Sequence, residues 1–179
     1  MYSGSNITAR HSMSDLSNAL FHLLHQYKYN EITITMICQE AQISRQTFYK
    51  LFKNKKGVVQ YLISSNYSDF EEGFQKTESL TLEEFTKYTL EFFWKKKDLF
   101  DLLISHNLER YFLEEVQERL ASVLELFQAT PFLENKTIYN FLTGGLSSMI
   151  LYQVGVDKEE NIEQVAKEFA DLMGNPVLR

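Results

Sequence analysis

The sequence predicts an all-α protein of about nine helices, and three observations carry this prediction. Only two of its 179 residues are prolines and seven are glycines, whereas 44% are hydrophobic and 23% are charged, a composition typical of a folded helical chain. Apolar residues recur at intervals of three and four over most of the length, which is the spacing of amphipathic helices. Residues that commonly cap helices precede several of these runs.

The first helix is predicted to begin at Ser12 or Ser14, either of which can act as an N-cap, after a fraying segment that ends near His11. The run over residues 32–38 is ambiguous, because its apolar residues also alternate as in a strand. A lone strand would leave its backbone groups unpaired. We therefore predict a second helix here, with Thr33 as its cap.

Ser44 is predicted to cap a short third helix over residues 45–52, and Asn54 a long fourth helix that reaches residue 74. In the third helix, Phe48 with Leu51 or Phe52 faces inward, which leaves mostly polar side chains facing outward. Thr81 and Glu84 form a capping box that opens the next helix. Further helices are predicted over residues 99–104, 108–127, 135–153 and 161–173, with Pro131 ending the second of these.

Charge is distributed unevenly along the chain. The net charge is −6, yet residues 1–60 hold seven basic and three acidic side chains, a net +4, so the remainder carries −10. A basic segment of this kind can face a polyanion while the acidic part repels phosphates. Cys38 is the only cysteine, which excludes an internal disulfide and indicates a small buried apolar residue.

Two short helices joined by a tight turn and followed by a third describe a helix-turn-helix, so residues 1–56 are predicted to form a DNA-binding domain. The start of the second helix of this motif enters the major groove. Arg45 can bind guanine, Gln46 can pair with adenine, and Thr47 can contact a thymine methyl or a phosphate. The side chains that suit the phosphates are Tyr49, Lys50, Lys53, Lys55 and Lys56. Without further support, however, a lysine cluster usually marks only a solvated face.

Residues 32–55 resemble the DNA-binding signature of TetR-type transcriptional regulators. The resemblance is specific at Ser44, Thr47, Phe48, Tyr49, Phe52 and Lys55, which have the order and spacing of that family. It implies that Tyr49 and Lys55 contact phosphates and that the residues from Arg45 to Thr47 face the bases. Thr33 and Ser44, at the starts of the two helices, complete the set of expected DNA contacts.

The turn departs from the family pattern at Gln42, where glycine is usual. A non-glycine residue there either adopts a positive φ, at a cost of about 1 kcal/mol, or the turn differs slightly. The resemblance covers about the first third of the chain, and it implies that residues 57–179 form a helical domain for dimerisation and effector binding.

The helix at residues 135–153 is apolar on more than one face, so it needs burial on several sides, which a partner chain would supply. Gly144 and Gly145 within it each cost about 1 kcal/mol of helix propensity and predict a close helix approach or a local kink. Aromatic residues of the second domain are candidates for lining a pocket for a planar or apolar effector, although core packing explains most of them equally well. The candidates are Phe93, Trp94, Phe100, His106, Tyr111 and Tyr139.

No pattern predicts catalysis, a cofactor or a metal site. His22 and His25 are three residues apart but have no third ligand of matching pattern, so surface histidines are the better interpretation. Neither a glycine-rich phosphate loop nor a serine elbow is present. No run approaches the roughly 18 to 20 apolar residues of a membrane span, and no signal sequence is evident, so a cytoplasmic protein is expected.

The sequence therefore predicts a homodimeric regulator, a repressor in keeping with the resemblance, that binds a palindromic DNA operator and is released from it, or altered on it, by an effector. The alternative is a co-regulator or adaptor of TetR-like fold that binds a partner protein and no small molecule. A helical enzyme ranks third.

Overall fold

The computed structural model describes residues 7–74, 81–126, 134–155 and 161–174, without the side chains of residues 72, 74 and 123–126. Every regular element in these residues is a helix, which confirms the predicted all-α class. In chain order the nine described helices are α1 (Ile7–Leu24), α2 (Ile34–Glu40), α3 (Arg45–Leu51), α4 (Lys55–Phe74), α5 (Leu82–Trp94), α6 (Lys97–Ser105), α7 (Glu109–Leu126), α8 (Lys136–Gly155) and α9 (Ile162–Gly174).

The start of α1 differs from the prediction. The helix begins at Ile7, so the expected caps at Ser12 and Ser14 and the fraying of residues 7–11 are wrong. Ser14 lies inside the helix, where its carbonyl accepts a hydrogen bond of 3.0 Å from the Ser17 hydroxyl. The first turn of α1 is mostly exposed, and Ile7 is 71% exposed. Apolar periodicity reports only the buried face of a helix, so it misses exposed turns at a helix end.

Local capping follows the predictions more closely. The Thr33 hydroxyl accepts from the Met36 amide at 3.2 Å, so the ambiguous segment is the helix α2 with Thr33 as its cap. The Asn54 side chain accepts from the Gly57 amide at 3.1 Å at the start of α4. Cys38 is buried, as expected.

The capping box of α5 is complete. The Thr81 hydroxyl accepts from the Glu84 amide at 3.2 Å, while the Glu84 carboxylate accepts from the Thr81 amide at 2.8 Å. The Thr81 hydroxyl also donates to the same carboxylate at 2.9 Å. The hydrogen bonds that the Thr81 amide and hydroxyl donate lower the pKa of Glu84 below its ordinary value. The predicted helices after α5 are all present to within a few residues, and Pro131 lies outside the described residues.

The chain divides into two compact units. The first consists of Met1–Ser68 with Leu102–Phe112, and the second of Asp69–Asp101 with Leu113–Arg179. The first unit therefore continues past residue 56, where the sequence places the domain boundary, and takes in the turn between α6 and α7. Its fully buried side chains include Leu16, Leu20, Ile37, Phe48 and Phe52.

The second unit is built around aromatic contacts. The Phe70 ring stacks on Phe93 with centroids 5.6 Å apart, and Phe93 meets Phe100 edge-on at 5.3 Å. Helix α5 packs against both α8 and α9. Helix α8 continues through Gly144 and Gly145, and apart from the adjoining turns of α8 itself, no atom of the described chain lies within 4 Å of a Cβ added at either position. The expected close approach of another helix is therefore not made within this part of the chain.

Candidate nucleic-acid interface

The turn between α2 and α3 contains the positive φ that a non-glycine residue tolerates poorly. Gln42 has φ 54°. Its amide donates to the Gln39 carbonyl at 3.1 Å, and the Ile43 amide donates to the Cys38 carbonyl at 2.9 Å. This pair of bonds closes the end of α2 as a Schellman motif, in which the residue with positive φ is usually glycine. Of the two alternatives left by the sequence, Gln42 thus adopts the strained conformation.

The direction of α3 is fixed by its cap and its buried face. The Ser44 hydroxyl accepts from the Thr47 amide at 3.1 Å and lies 3.0 Å from the Thr47 hydroxyl. Phe48 and Phe52 are fully buried, with ring centroids 5.9 Å apart, and Leu51 is buried beside them. The inward positions predicted from the sequence are therefore confirmed.

The opposite face of α3 and its flanks are open to solvent. Arg45, Gln46, Lys50 and Lys53 are exposed, Thr47 is partly buried, and the Tyr49 side chain is 51% exposed. The Tyr49 ring packs edge-on against Phe48, with centroids 5.5 Å apart, which holds it at the surface. Thr33 and Ser44 are exposed at the starts of α2 and α3. The structure thus places this predicted set, apart from Lys55, at the surface of one helix-turn-helix.

Lys55 differs from the other basic residues of the set. Its ammonium group donates to the carbonyl oxygens of Tyr29 and of Ile32, the latter at 2.6 Å, and lies 4.1 Å from the centre of the Tyr29 ring. Burial lowers the pKa of Lys55. The ammonium is therefore directed at the backbone between α1 and α2, and its contact with a phosphate stays a prediction.

The six candidates for an effector pocket do not lie together in one unit. His106 and Tyr111 belong to the first unit, and Phe93, Trp94, Phe100 and Tyr139 to the second. Phe93 and Phe100 are buried in the aromatic core. The Tyr139 hydroxyl donates to the Gln117 carbonyl, and the Lys97 ammonium lies 5.8 Å from the centre of a Trp94 ring. Their role in effector binding stays a prediction.

His106 makes contacts that the sequence does not signal. Its Nε2 is 2.9 Å from the Leu24 carbonyl, and its Nδ1 accepts from the Tyr29 amide at 3.3 Å. Because Nδ1 is an acceptor, Nε2 carries the proton and donates to Leu24. These partners are 82 and 77 residues away in the chain, so no spacing rule could have found them.

Comparison with known proteins identifies the fold. No family model and no curated protein matches the sequence. Among solved structures, Lin0861 from Listeria innocua superposes with a TM-score of 0.81 and 19% identity, over 97% of this chain and 95% of that one. The TetR family repressor AlkX from a Dietzia strain superposes with a TM-score of 0.50 and 16% identity, over 93% and 94% of the two chains. The chain has a TetR-like fold.

The TetR-like fold confirms the resemblance seen in residues 32–55 at the level of structure. In the part of the chain that the structure describes, no helix is long and apolar enough to cross a membrane. Within the same ranges, no three or more histidine, cysteine, aspartate or glutamate side chains are grouped to hold a metal ion. The His22 ring instead lies 3.6 Å from the Glu40 carboxylate, and both side chains are largely exposed.

Proposed function

We propose that this TetR-like chain is a DNA-binding transcriptional regulator that inserts α3 into the major groove. The observation that carries the proposal is the division of α3 into two faces. Phe48, Leu51 and Phe52 bury one face completely, so the helix has a fixed orientation. The other face presents a guanidinium, an amide, a phenol and ammonium groups, which are the groups that read base edges and hold phosphates.

Each side chain of the exposed face has a role that follows from its position. Arg45 and Gln46 belong to the first turn of α3, the part of a recognition helix that reaches the bases. Tyr49, Lys50 and Lys53 lie further along, where they suit the phosphates on either side of the groove. The net charge of +4 over residues 1–60 favours approach to DNA even though the whole chain is acidic.

A selection experiment followed by two substitutions tests this function. Duplexes bound by the purified protein are selected from a random pool long enough for two half-sites one helical turn apart. Arg45→Ala should change the base preference at one position of the selected site and cost about 1–3 kcal/mol on that site. Lys53→Ala should weaken binding to all sequences and reduce the slope of log affinity against log salt by about 1.

Lys95→Ala is the matched control, because Lys95 is an exposed lysine of the second unit. It should leave both the base preference and the salt slope unchanged. Equal losses on every sequence from Arg45→Ala and Lys53→Ala, or no binding by the unaltered protein, would contradict the assignment of α3 to the groove.

We infer that a second copy of the chain covers the outer face of α8. Phe141 is 74% exposed and Tyr152 is 70% exposed, and with Ile138 they follow one side of the helix. Large apolar side chains at helical spacing are seldom left in water unless another surface covers them. Among the described residues, no other helix fills the space beside Gly144 and Gly145, which leaves room for a close approach by a partner helix. A two-fold dimer would present paired recognition helices to a palindromic site.

We also propose that an effector bound in the C-terminal domain releases the protein from its operator, as a repressor. A buried hydroxyl of α8 supports this. Thr86, Thr89 and Thr143 are buried, and each donates to the carbonyl four residues earlier. The Ser147 hydroxyl is buried on α8 with no partner among the described residues. An unsatisfied buried hydroxyl costs about 1–3 kcal/mol, which a polar atom of a ligand would offset.

A thermal-shift screen of metabolites tests the effector, since a ligand that binds only the folded state raises the melting temperature. Ser147→Ala should weaken the response to the active compound and leave the response to the selected DNA unchanged. A screen without any stabilising compound, together with a partner protein that stabilises the chain, would favour the adaptor function instead.

A further inference from the structure

Both backbone polar groups of Tyr29, its amide and its carbonyl, form hydrogen bonds with side chains from distant parts of the first unit. Its amide donates to Nδ1 of His106 at 3.3 Å, and its carbonyl accepts from the ammonium of Lys55. The same His106 ring donates through Nε2 to the carbonyl of Leu24, which ends α1. One imidazole therefore ties the last residue of α1 to the connection that follows it.

The His106 ring lies at the end of α6, where backbone hydrogen bonds terminate the helix. Asn107 has φ 55°, its amide donates to the Ile104 carbonyl at 3.1 Å, and the Leu108 amide donates to the Leu103 carbonyl at 2.7 Å. These bonds form a Schellman motif at the end of α6, with asparagine in place of the usual glycine. His106 is the residue just before this turn, so its direction is set by backbone hydrogen bonds. The ring is partly buried.

The segment held by the ring leads directly into the helix-turn-helix. Four residues after Tyr29, Thr33 caps α2, and the end of α2 determines where α3 begins. A shift of the connection would therefore be passed to α2 and then to the recognition helix.

Given the proposed function, on which this inference rests, we propose that His106 is a positioning residue for DNA binding, active only when its ring is neutral. Protonation would place a second N–H on Nδ1, directly facing the Tyr29 amide, so two donors would oppose each other and the hydrogen bond would be lost. Histidine is the side chain that ordinarily changes charge between about pH 5 and pH 8. Affinity for DNA should therefore be lower in acid, where protonation of the ring breaks this hydrogen bond.

Cationic side chains outnumber carboxylates on the chain segments next to the ring and its partners. The titratable and charged side chains of these segments are His25, Lys28, Tyr29 and Glu31 after α1, Lys55 and Lys56 at the start of α4, and Glu109, Arg110 and Tyr111 at the start of α7. Arg110 donates to the Tyr111 hydroxyl at 2.8 Å, and the Lys56 ammonium lies 5.1 Å from the Tyr111 ring centre. A protonated His106 would add a further cation to this region.

The test measures affinity for the selected duplex from about pH 8 to about pH 5.5 at constant salt. The unaltered protein should bind at least about fivefold more weakly at the acidic end. His106→Ala should bind at least about fivefold more weakly already at the alkaline end and should show no further loss on acidification. His106→Asn places an amide oxygen near the position of Nδ1, so it should restore most of the affinity without restoring the pH dependence.

His22→Gln is the control, because His22 is an exposed histidine of α1 beside Glu40. It should keep the fall in affinity of the unaltered protein. Wild-type affinity and wild-type pH dependence in His106→Ala or His106→Asn would overturn the proposal.

A measurement without DNA separates this inference from the proposed function. Long-range proton–nitrogen NMR spectra of the full chain should show His106 as the Nε2–H tautomer at about pH 8, and the Tyr29 amide signal should shift together with the titration of that ring. If the protein binds no duplex at any pH, the proposed function fails. The spectrum still tests whether His106 holds the Tyr29 amide through a hydrogen bond. A Tyr29 amide signal that does not change when His106 is protonated would overturn the inference.

Discussion

The ammonium group of Lys55 donates to the carbonyl oxygen of Tyr29 and lies 4.1 Å from the centre of the same residue's ring. This contact joins the first residue of α4 to the connection between α1 and α2. Burial, the largest cause, and the nearby Tyr111 raise the pKa of Tyr29 to about 12. The Tyr29 phenol thus stays neutral over the pH range in which most proteins work, and the Lys55 ammonium forms a cation–π pair with its ring.

Replacing Lys55 should destabilise the protein, since Lys55→Ala removes the donor from two partly buried carbonyls. We expect a loss of about 1–3 kcal/mol in the free energy of unfolding, measured by urea denaturation. Lys53→Ala, which changes an exposed lysine two residues away, should alter this free energy by less than about 0.5 kcal/mol. Equal small effects from both would indicate that Lys55 is a surface charge, as its expected phosphate contact requires.

Gln42→Gly should stabilise the protein by about 1 kcal/mol, because glycine adopts φ 54° without strain. The measurement is the midpoint of chemical denaturation at constant slope. Gln39→Gly is the matched control, since Gln39 is an exposed glutamine inside α2, where glycine should cost about 0.5–1 kcal/mol. A loss of stability in both variants would show that the Gln42 side chain contributes more than its backbone strain costs.

The capping box at α5 should make stability depend on pH. The folded-state pKa of Glu84 is lowered by its hydrogen bonds from Thr81, so the unfolded chain binds the proton more readily. The resulting stability is present above the unfolded-state pKa and is lost as the pH falls through the lower folded-state pKa.

Glu84→Gln should therefore flatten the acid branch of unfolding free energy between about pH 6 and about pH 3, because glutamine keeps the cap without titrating. Glu83→Gln, in the same exposed first turn, is the comparison. Should the Glu83 variant flatten the acid branch as much as the Glu84 variant, general charge at the helix start would explain the effect and the capping box would not.

Phe141→Glu should disrupt the proposed dimer. A carboxylate at a position that is 74% exposed in the single chain costs the monomer little, but its burial between two copies of α8 would be unfavourable. We expect the dimer dissociation constant to rise at least about tenfold, measured by native mass spectrometry and sedimentation. Leu113→Glu, on α7 with 39% exposure, is the control and should leave the dimer intact. A Phe141→Glu protein that stays dimeric would place the interface on another surface.

Predictions from the sequence succeed where the interaction is local. Thr33, Ser44 and Thr81 each cap a helix through a group three residues away, so their role is visible in a short stretch of chain. The sequence leaves two backbone conformations possible for Gln42, since its φ depends on how the following segment packs. The start of α1 was missed because its first turns are exposed and carry no apolar pattern.

The sequence by itself determined the helical class, most helix ends, and the inward and outward faces of α3. Periodicity and capping depend on residues only a few positions apart, so a short stretch of sequence contains them. Only the tertiary structure decided which distant groups meet. The sequence proposes His106 as one of six residues of an effector pocket, yet its ring binds the backbone of Leu24 and Tyr29. Its partners are backbone atoms, which every residue possesses, so no side-chain pattern marks them in advance.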